Sequence, residues 1–269
     1  MWFNDYHTHT NFSADSESSM EDQCRAAIAT GIKQIAFTEH EDYNPGDFTS
    51  FFFRHEDYLR KIEVCRKQFG RQLVIRSGIE VSEPHVFSER AGYVLNKFDW
   101  DFVLGSLHWV DGKHNCYIAD WVDAFGGWNE AYRAYFLELQ TLAAEGDFDV
   151  LAHIDYQSRY APPDVYAQYH VEDFEDVVRP VLAHVIARGK GIEINTSALR
   201  RGLANPNPPA IVVKWFHEMG GTILTLGSDS HNPKHTGAGI SAALDMARAA
   251  GFLKLATFEH RQVTLVDID

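Results

Sequence analysis

Histidines and acidic residues recur along this chain at spacings that suit metal ligands. One residue separates His7 from His9, and Asp229 and His231 repeat that spacing near the other end of the chain. Alternate residues of an extended strand share a face, so both side chains of such a pair can reach one ion at about 2.0–2.1 Å. The remaining candidates are Glu39, His40, Glu80, His108, His153, Asp155 and Asn195. Imidazole and carboxylate donors predict a hydrolytic site for Zn, Mn or Fe.

Each candidate ligand lies at or just beyond the end of a short apolar segment that is predicted to be a strand. These segments span residues 3–9, 34–38, 73–81, 102–107, 150–153, 191–195 and 222–227. Predicted helices lie between and after them, at residues 19–29, 58–69, 129–144, 174–187, 209–219 and 241–250. A lone histidine is more often a surface or core residue than a ligand. Because so many candidate ligands lie at strand ends, one shared site is favoured over several unrelated histidines and carboxylates.

A glycine lies at or just past the end of each predicted helix, namely Gly31, Gly70, Gly146, Gly189, Gly220 and Gly251. We expect each of them to adopt the left-handed conformation that commonly terminates a helix, because glycine has no Cβ to oppose it. After the last helix, residues 262–268 are predicted to form an additional edge strand or a tail.

Strands that alternate with crossover helices favour a parallel sheet. Seven such units predict an α/β fold, a seven-stranded (β/α)7 TIM-like barrel that is closed or nearly closed, with a doubly wound open sheet as the alternative. In either fold the C-terminal ends of parallel strands meet at one edge, where such enzymes build their sites. No Pro/Gly/Ser-rich linker interrupts the pattern, which predicts a single domain over residues 1–269.

The formal net charge of −14 argues against nucleic acid or an anionic membrane surface as a partner. An anionic small molecule is still compatible, because metal ions reverse the field inside a pocket. No apolar run approaches the ~20 residues that cross a bilayer, and the N-terminus does not have the pattern of a signal peptide. Cys24, Cys65 and Cys116 show no paired spacing. A cytoplasmic location is therefore expected, and the oligomeric state is left open.

Seven short motifs occur in a characteristic order. They are DYHTHT at 5–10, FSADS at 12–16, FTEH at 37–40, GIE at 78–80, GSLH at 105–108, HID at 153–155 and GSDSH at 227–231. In this order they resemble the polymerase-and-histidinol-phosphatase (PHP) superfamily. The SRY segment at 158–160 and the EINTS segment at 193–197, followed by Arg200 and Arg201, look like its histidinol-phosphatase branch. That resemblance implies a distorted seven-stranded barrel.

The resemblance also implies two or three divalent metal ions, Zn, Mn or Fe. One would be held by His7, His9, Glu80 and Asp229. A second would be held by Glu80, His108 and His153, and a third by Asp15, His40 and His231. Many members of the superfamily have histidine where this chain has Asp15, and the histidinol-phosphatase branch commonly has aspartate. Glu39, next to His40, either supports a neighbouring ligand or is a solvated acidic residue.

The implied activity is a metal-dependent phosphomonoesterase that hydrolyses L-histidinol phosphate to L-histidinol in histidine biosynthesis. A metal-bridging hydroxide would attack phosphorus in line with the leaving oxygen, with Glu80 and Asp229 as catalytic ligands. Arg159 and Arg200 are predicted to grip the phosphate oxygens, with Arg201 as the alternative to Arg200. The proton donor to the leaving group is a metal-bound water or Asp229.

Three competing functions remain. A related phosphoesterase acting on a nucleotide or another small phosphate ester would share every ligand. A barrel amidohydrolase also begins with His-x-His, but commonly has a bridging lysine where this chain has Glu80. A metal-binding regulatory module would lack turnover. His114 is a candidate for the mouth of the pocket, and Trp109, Tyr117, Trp121 and Tyr160 are candidates for its walls.

Overall fold

A parallel sheet rolled into a barrel is the framework of the molecule. The computed structural model describes residues 3–114 and 118–268. The strands are β1 (Asn4–Thr8), β2 (Gln34–Glu41), β3 (Val74–Ser82), β4 (Phe102–Ser106), β5 (Trp109–Val110), β6 (Lys113–His114), β7 (Val150–Leu151), β8 (Gly191–Asn195), β9 (Leu224–Gly227), β10 (Lys254–Glu259) and β11 (Gln262–Asp267). Cys116, Tyr117 and the side chain of His114 lie outside the described part, so the expectations placed on them are not addressed.

Helices surround this sheet. They are α1 (Met20–Thr30), α2 (His55–Phe69), α3 (Ser88–Lys97), α4 (Ile118–Phe125), α5 (Trp128–Glu145), α6 (Pro163–Tyr166), α7 (Glu175–Ala187), α8 (Ser197–Arg200), α9 (Ala210–Glu218) and α10 (Ile240–Ala249). Short 3-10 turns span Tyr156–Tyr160, Val171–Phe174 and Pro233–His235. Within the described residues, no helix combines the length and apolar character that a membrane crossing requires.

Seven strands pair in parallel in the order β1-β2-β3-β4-β7-β8-β9. The two outer strands then meet just beyond β9. The Asp229 backbone N–H donates to the His7 carbonyl, and the His9 N–H donates to the Ser230 carbonyl, both at 2.8 Å. These bonds make the sheet a nearly closed barrel, which confirms the predicted fold and excludes the doubly wound open sheet.

The inward faces of the strands change from apolar to polar toward their C-terminal ends. In β4 and the residue pair that follows it, alternate positions are Phe102, Leu104, Ser106 and His108. The first two belong to a buried cluster that also contains Tyr6 and Phe258. This cluster fills one end of the barrel and leaves the polar residues at the other end.

An irregularity in β1 allows consecutive residues of this strand to face the apolar end and the polar end of the barrel. Tyr6 packs edge-on against Phe102 with ring centroids 4.9 Å apart. On an ideal strand the next residue would point away, yet His7 also faces the polar end of the barrel. The register of β1 against β2 shifts between Asp5 and Thr8, which indicates a bulge that changes the direction of the following side chains.

The terminal segment forms a hairpin rather than an edge of the barrel. β10 and β11 pair antiparallel, with Glu259 opposite Gln262. The Phe258 N–H donates to the Tyr6 hydroxyl at 2.8 Å, so the hairpin covers the apolar end of the barrel. The predicted strand at 262–268 is therefore present as β11, but its partner β10 was not predicted. Helices α3 and α4 and the β5–β6 hairpin were not predicted either.

Two of the glycine predictions are wrong. Gly31, Gly189, Gly220 and Gly251 have positive φ values as predicted, but Gly70 and Gly146 have φ values of −61° and −63°. Close packing explains why glycine is present there. A Cβ on Gly70 would lie 2.4 Å from the Arg66 carbonyl oxygen, and one on Gly146 would lie 2.9 Å from the Leu142 carbonyl oxygen.

Candidate metal centre

The nine predicted metal ligands converge at the C-terminal ends of the barrel strands. Seven of them line a cleft of about 420 Å³, namely Asp15, His40, Glu80, His108, His153, Asp229 and His231. His7 and His9 lie just beneath it and are fully buried. Asp15 comes from the loop after β1, whereas the others lie at or just past the end of a strand. The predicted convergence is therefore found, and the role of these residues as ligands remains a prediction.

Glu80 occupies the middle of this group. Its two carboxylate oxygens lie 2.9–3.6 Å from ring nitrogens of five histidines, namely His7, His9, His40, His108 and His153. The side chain is almost completely buried. Burial alone would raise the pKa of Glu80, but the adjacent His7 and His40 rings hold that pKa well below its usual range. An ionised carboxylate among imidazoles is the arrangement expected of a bridging ligand.

Asp229 forms a second acidic point at the edge of the group. Its Oδ1 lies 3.6 Å from His9 Nε2 and 3.5 Å from His231 Nδ1. Although burial opposes ionisation, the charges of His7 and Arg159 lower the pKa of Asp229 well below its ordinary value. The residue has a positive φ of 53°, which turns its carboxylate toward the cleft immediately after β9.

Asp15 forms the third acidic point, opposite Asp229. Its Oδ2 lies 3.0 Å from His231 Nε2 and 3.5 Å from His40 Nε2. The His9 ring stacks against each of the other two rings, with centroids 4.3 Å from His40 and 4.1 Å from His231. Burial works against ionisation, yet His40 and His231 lower the pKa of Asp15 below its usual range.

These donors fit divalent cations. Two ligands that bind one ion at about 2.0–2.1 Å are themselves roughly 3–4 Å apart. His9 Nε2 is buried, lies 3.6 Å from both the Glu80 and Asp229 carboxylates, and has no hydrogen-bond partner among the residues that the structure describes. Burial and the neighbouring His231 and His40 rings lower the pKa of His9, which favours the neutral form that binds metal. Among the described residues, four triplets of donor atoms lie within 4.8 Å of one another.

Glu193 orients two of the candidate ligands from beneath. Its Oε1 accepts a hydrogen bond from His7 Nδ1 at 2.8 Å, and its Oε2 accepts one from the His153 backbone N–H at 2.9 Å. Burial would lower the pKa of His7, but the Glu193 and Glu80 carboxylates raise it well above the ordinary value. A Cβ on Gly227 would lie 2.0 Å from Glu193 Oε1, so only glycine leaves room for this contact.

Glu39 supports the site and is not a solvated acidic residue, so that alternative is wrong. The residue is fully buried. Its carboxylate accepts hydrogen bonds from the Thr10 N–H at 2.9 Å, the Thr10 hydroxyl at 2.6 Å and the Ser13 hydroxyl at 2.7 Å. Ser13 Oγ also accepts a bond from the His40 N–H and lies 3.3 Å from His9 Nδ1. Glu39 thus holds the loop that follows β1 against two candidate ligands.

Asn195 lies beside the candidate metal ligands, whereas Asp155 lies in a separate cavity. Asn195 Nδ2 donates to Asp229 Oδ2 and to Glu193 Oε2, both at 3.3 Å, so it braces the metal-ligand candidates. Asp155 lines a separate cavity of about 380 Å³ and accepts a hydrogen bond from the Tyr169 hydroxyl at 2.8 Å. Burial raises the pKa of Asp155 well above its ordinary value. It does not join the group around Glu80.

The three predicted arginines line the same cleft as the histidines. Arg159 donates to Asp229 Oδ2 at 3.0 Å and to the Ser197 hydroxyl, and its guanidinium lies 3.9 Å from the Tyr156 ring centroid. The side chain is largely buried. Its charge and its planar hydrogen-bonding fork therefore face the space beside Asp229.

The other two arginines are held differently. Arg200 donates to the Asp229 carbonyl oxygen at 3.0 Å and to the Ser228 carbonyl oxygen, so it fixes the backbone that carries Asp229. Arg201 is exposed, and its guanidinium lies 4.6 Å from the Tyr160 ring centroid. Both have access to the cleft, which leaves the choice between them as a phosphate contact open.

Four further cleft residues complete the site. Tyr156, Tyr160, Ser197 and His235 also line the cleft, and of these only Tyr160 was predicted as a site residue. Tyr156 lies three residues after His153 in a 3-10 turn, a spacing that the strand pattern could not reveal. Of the aromatic candidates for the walls, Trp121 is fully buried against α5, and Trp109 does not line the cleft.

Comparisons with known proteins give a consistent result. The PHP domain model matches residues 5–197. A histidinol-phosphatase of Lactococcus lactis subsp. lactis is 29% identical over 96% of this chain and 95% of its own length. A protein of Clostridium acetobutylicum named "Probable histidinol-phosphatase" is 32% identical over 96% and 97%. The crystal structure of the histidinol phosphate phosphatase from L. lactis, complexed with zinc, L-histidinol and phosphate, matches with a TM-score of 0.85 at 27% identity, covering 97% and 98% of the two chains.

Proposed function

The chain belongs to the PHP domain family, and we propose that it is a metal-dependent phosphomonoesterase that hydrolyses L-histidinol phosphate to L-histidinol and phosphate. The observation that carries this proposal is one cleft that is lined by seven candidate metal ligands and three arginines, with two further candidate ligands buried beneath it. The names of the curated relatives support the same activity, and they cover nearly the whole chain.

We assign the metal ligands in three sets, of which the first two share Glu80. They are His7, His9, Glu80 and Asp229; then Glu80, His108 and His153; then Asp15, His40 and His231. Within each set, Glu80 or another acidic residue lies 2.9–3.9 Å from histidine nitrogens. The zinc in the L. lactis relative supports zinc as one of the ions. Mn and Fe are compatible with the same donors, and two or three ions would satisfy the sets.

Divalent ions bound here would lower the pKa of water and neutralise charge that develops on the phosphate oxygens. The chain's own contribution is to bind and orient the ester. Arg159 presents a fork of N–H donors held over Tyr156, which suits two phosphate oxygens. Arg200 holds the Ser228–Asp229 backbone in place, and either Arg200 or Arg201 would complete the grip. Asp229 remains a candidate proton donor to the leaving oxygen.

The amidohydrolase alternative is less well supported. Such a site commonly uses a lysine that bridges two ions, and none of the described residues lining this cleft is a lysine. A regulatory module without turnover is also less well supported, because the cleft is open to solvent beside a full set of donors. We also propose a single-domain enzyme with a cytoplasmic location, and for the location the free, buried thiols of Cys24 and Cys65 fit a reducing compartment.

Substrate choice is tested by a panel. We expect kcat/KM for L-histidinol phosphate to exceed that for sugar and nucleotide monophosphates at least about tenfold, the discrimination that a single well-placed contact supplies. Phosphate release would be measured in parallel with enzyme loaded with Zn, Mn or Fe(II). A preference for a nucleotide with each metal would keep the phosphomonoesterase and reject histidinol phosphate as its substrate.

A further inference from the structure

The second ring nitrogen of His108 is held by a hydrogen bond on the side away from the proposed metals. His108 Nε2 lies 3.6 Å from Glu80 Oε1, on the side of the proposed metals. On the other side, Nδ1 lies 3.0 Å from the Ser82 hydroxyl at the end of β3. That hydroxyl in turn donates to Asp42 Oδ1. A chain of two hydrogen bonds therefore runs from the ring to a carboxylate outside the nine predicted ligands.

Asp42 is a buried carboxylate with a fixed environment. It is 4% exposed, and Ser82 is 1% exposed, so neither group is screened by bulk water. The second oxygen of Asp42, Oδ2, accepts a hydrogen bond from the Thr49 hydroxyl at 2.5 Å. Asp42 follows β2 directly, and Thr49 belongs to the loop between β2 and α2. The carboxylate thus joins that loop to the end of β3.

The number of available protons determines the direction of these bonds. An ionised carboxylate can only accept, and a serine hydroxyl has one proton to give. Since Ser82 gives its proton to Asp42, it can only accept from His108. His108 must then carry its proton on Nδ1, which leaves the lone pair of Nε2 directed at the Glu80 side. That is the tautomer a metal ligand needs.

A buried carboxylate also orients the Nδ1 atom of two other histidines, directly at His7 and through a hydroxyl at His9. Glu193 accepts directly from His7 Nδ1. Glu39 is linked to His9 Nδ1 through the Ser13 hydroxyl, with distances of 2.7 and 3.3 Å. The arrangement at His108 is bridged by a hydroxyl as at His9, but the distance from the hydroxyl to the ring nitrogen is shorter, 3.0 Å rather than 3.3 Å.

We propose that Asp42, acting through Ser82, is a positioning residue that fixes the tautomer and orientation of His108 and so raises metal affinity at the Glu80, His108 and His153 set. This inference rests on the proposed function for the role of His108. A competing possibility is that Asp42 itself binds a metal, because its Oδ1 lies 3.9 Å from His108 Nδ1 and the two group with His40. Ser82 Oγ lies within hydrogen-bond distance of both Asp42 Oδ1 and His108 Nδ1, which favours the bridged arrangement.

The test compares two buried serines. Ser82→Ala removes the bridging hydroxyl. Ser106→Ala is the matched control, because Ser106 is fully buried and lies 3.4 Å from Ser82 Oγ, in the same layer of the barrel. Each protein is stripped with a chelator and titrated with zinc against a competing indicator. We expect Ser82→Ala to weaken zinc binding at one site about 10–100-fold, the usual effect of losing such a supporting contact. Ser106→Ala should bind zinc like the original protein.

A double-mutant cycle separates the bridged arrangement from its competitor. Asp42→Asn should also weaken one site, and the Asp42→Asn/Ser82→Ala double variant should be no weaker than Ser82→Ala alone, because both changes break one chain of bonds. Additive losses, or a loss with Asp42→Asn but not with Ser82→Ala, would overturn the proposal. So would a Tm for metal-free Ser82→Ala well below that of metal-free Ser106→Ala, since Ser82 would then be a structural residue. Failure of the unaltered protein to bind any of zinc, Mn and Fe(II) would instead reject the proposed function.

Discussion

Glu80→Gln is expected to remove nearly all activity and most of the bound metal. The substitution keeps the size of the side chain but replaces a charged oxygen with an NH₂ group that faces histidine nitrogens. The proposed bridge between two ligand sets is lost. We expect kcat/KM to fall on the order of 10³-fold or more, since the loss of several kcal/mol of charge stabilisation costs a factor of ten for each 1.4 kcal/mol.

Metal content and phosphate release would be measured on the same preparation of the Glu80→Gln variant. Glu63→Gln is the control, because Glu63 is exposed on α2 and pairs with Arg66 at 2.7 Å, away from the cleft. That variant should keep full metal content and activity. If Glu80→Gln retained both, the assignment of Glu80 as the central ligand would be wrong.

Arg159→Ala is expected to leave the metal content intact and to lower kcat/KM about 10²-fold or more, because a hydrogen bond to a charged group is worth ~1.5–3 kcal/mol and the fork can make two. The contact to Asp229 at 3.0 Å makes the metal measurement necessary. Steady-state phosphate release and metal analysis on the same sample would separate a binding effect from loss of the ions.

Two further variants sharpen the Arg159 result. Arg159→Lys should recover little of the loss, because an ammonium cannot form two parallel bonds to the phosphate or lie flat on the Tyr156 ring. Arg201→Ala should lower kcat/KM less than Arg159→Ala does, since Arg201 is exposed and lies over Tyr160 at the rim of the cleft. Intact metal with unchanged kcat/KM in Arg159→Ala would show that Arg159 does not contact the phosphate.

The barrel and the convergence of the candidate ligands were accessible from sequence because both depend on local patterns. Apolar segments mark the strands, and polar residues at the strand ends must share one edge in any parallel sheet. His40, Glu80 and His108 each follow this rule directly. Asp15 did not follow from the pattern, because it lies in a loop and came only from the resemblance to a known superfamily.

Residues that act through long-range contacts were not accessible in the same way. Asp42 and Ser82 are 40 positions apart, and nothing in either segment marks the bond between them. The bulge in β1 includes Tyr6, whose hydroxyl accepts a hydrogen bond from the terminal hairpin far along the chain. Glycine is required at positions 70 and 146 because a Cβ would contact close neighbours, and not because the backbone is left-handed there. The Asp42–Ser82 bond is set by tertiary packing, whereas the close neighbours of the two glycines include the carbonyl oxygens four residues earlier.

The most direct test of the central claim is phosphate release from L-histidinol phosphate by enzyme that has been stripped of metal and then reloaded. We expect the stripped protein to release phosphate at the rate of the buffer alone, and Zn, Mn or Fe(II) to restore turnover together with the binding of two or three ions per chain. Unchanged phosphate release after complete removal of metal would contradict a metal-dependent mechanism. No phosphate release after reloading with any of the three metals would contradict the phosphatase itself.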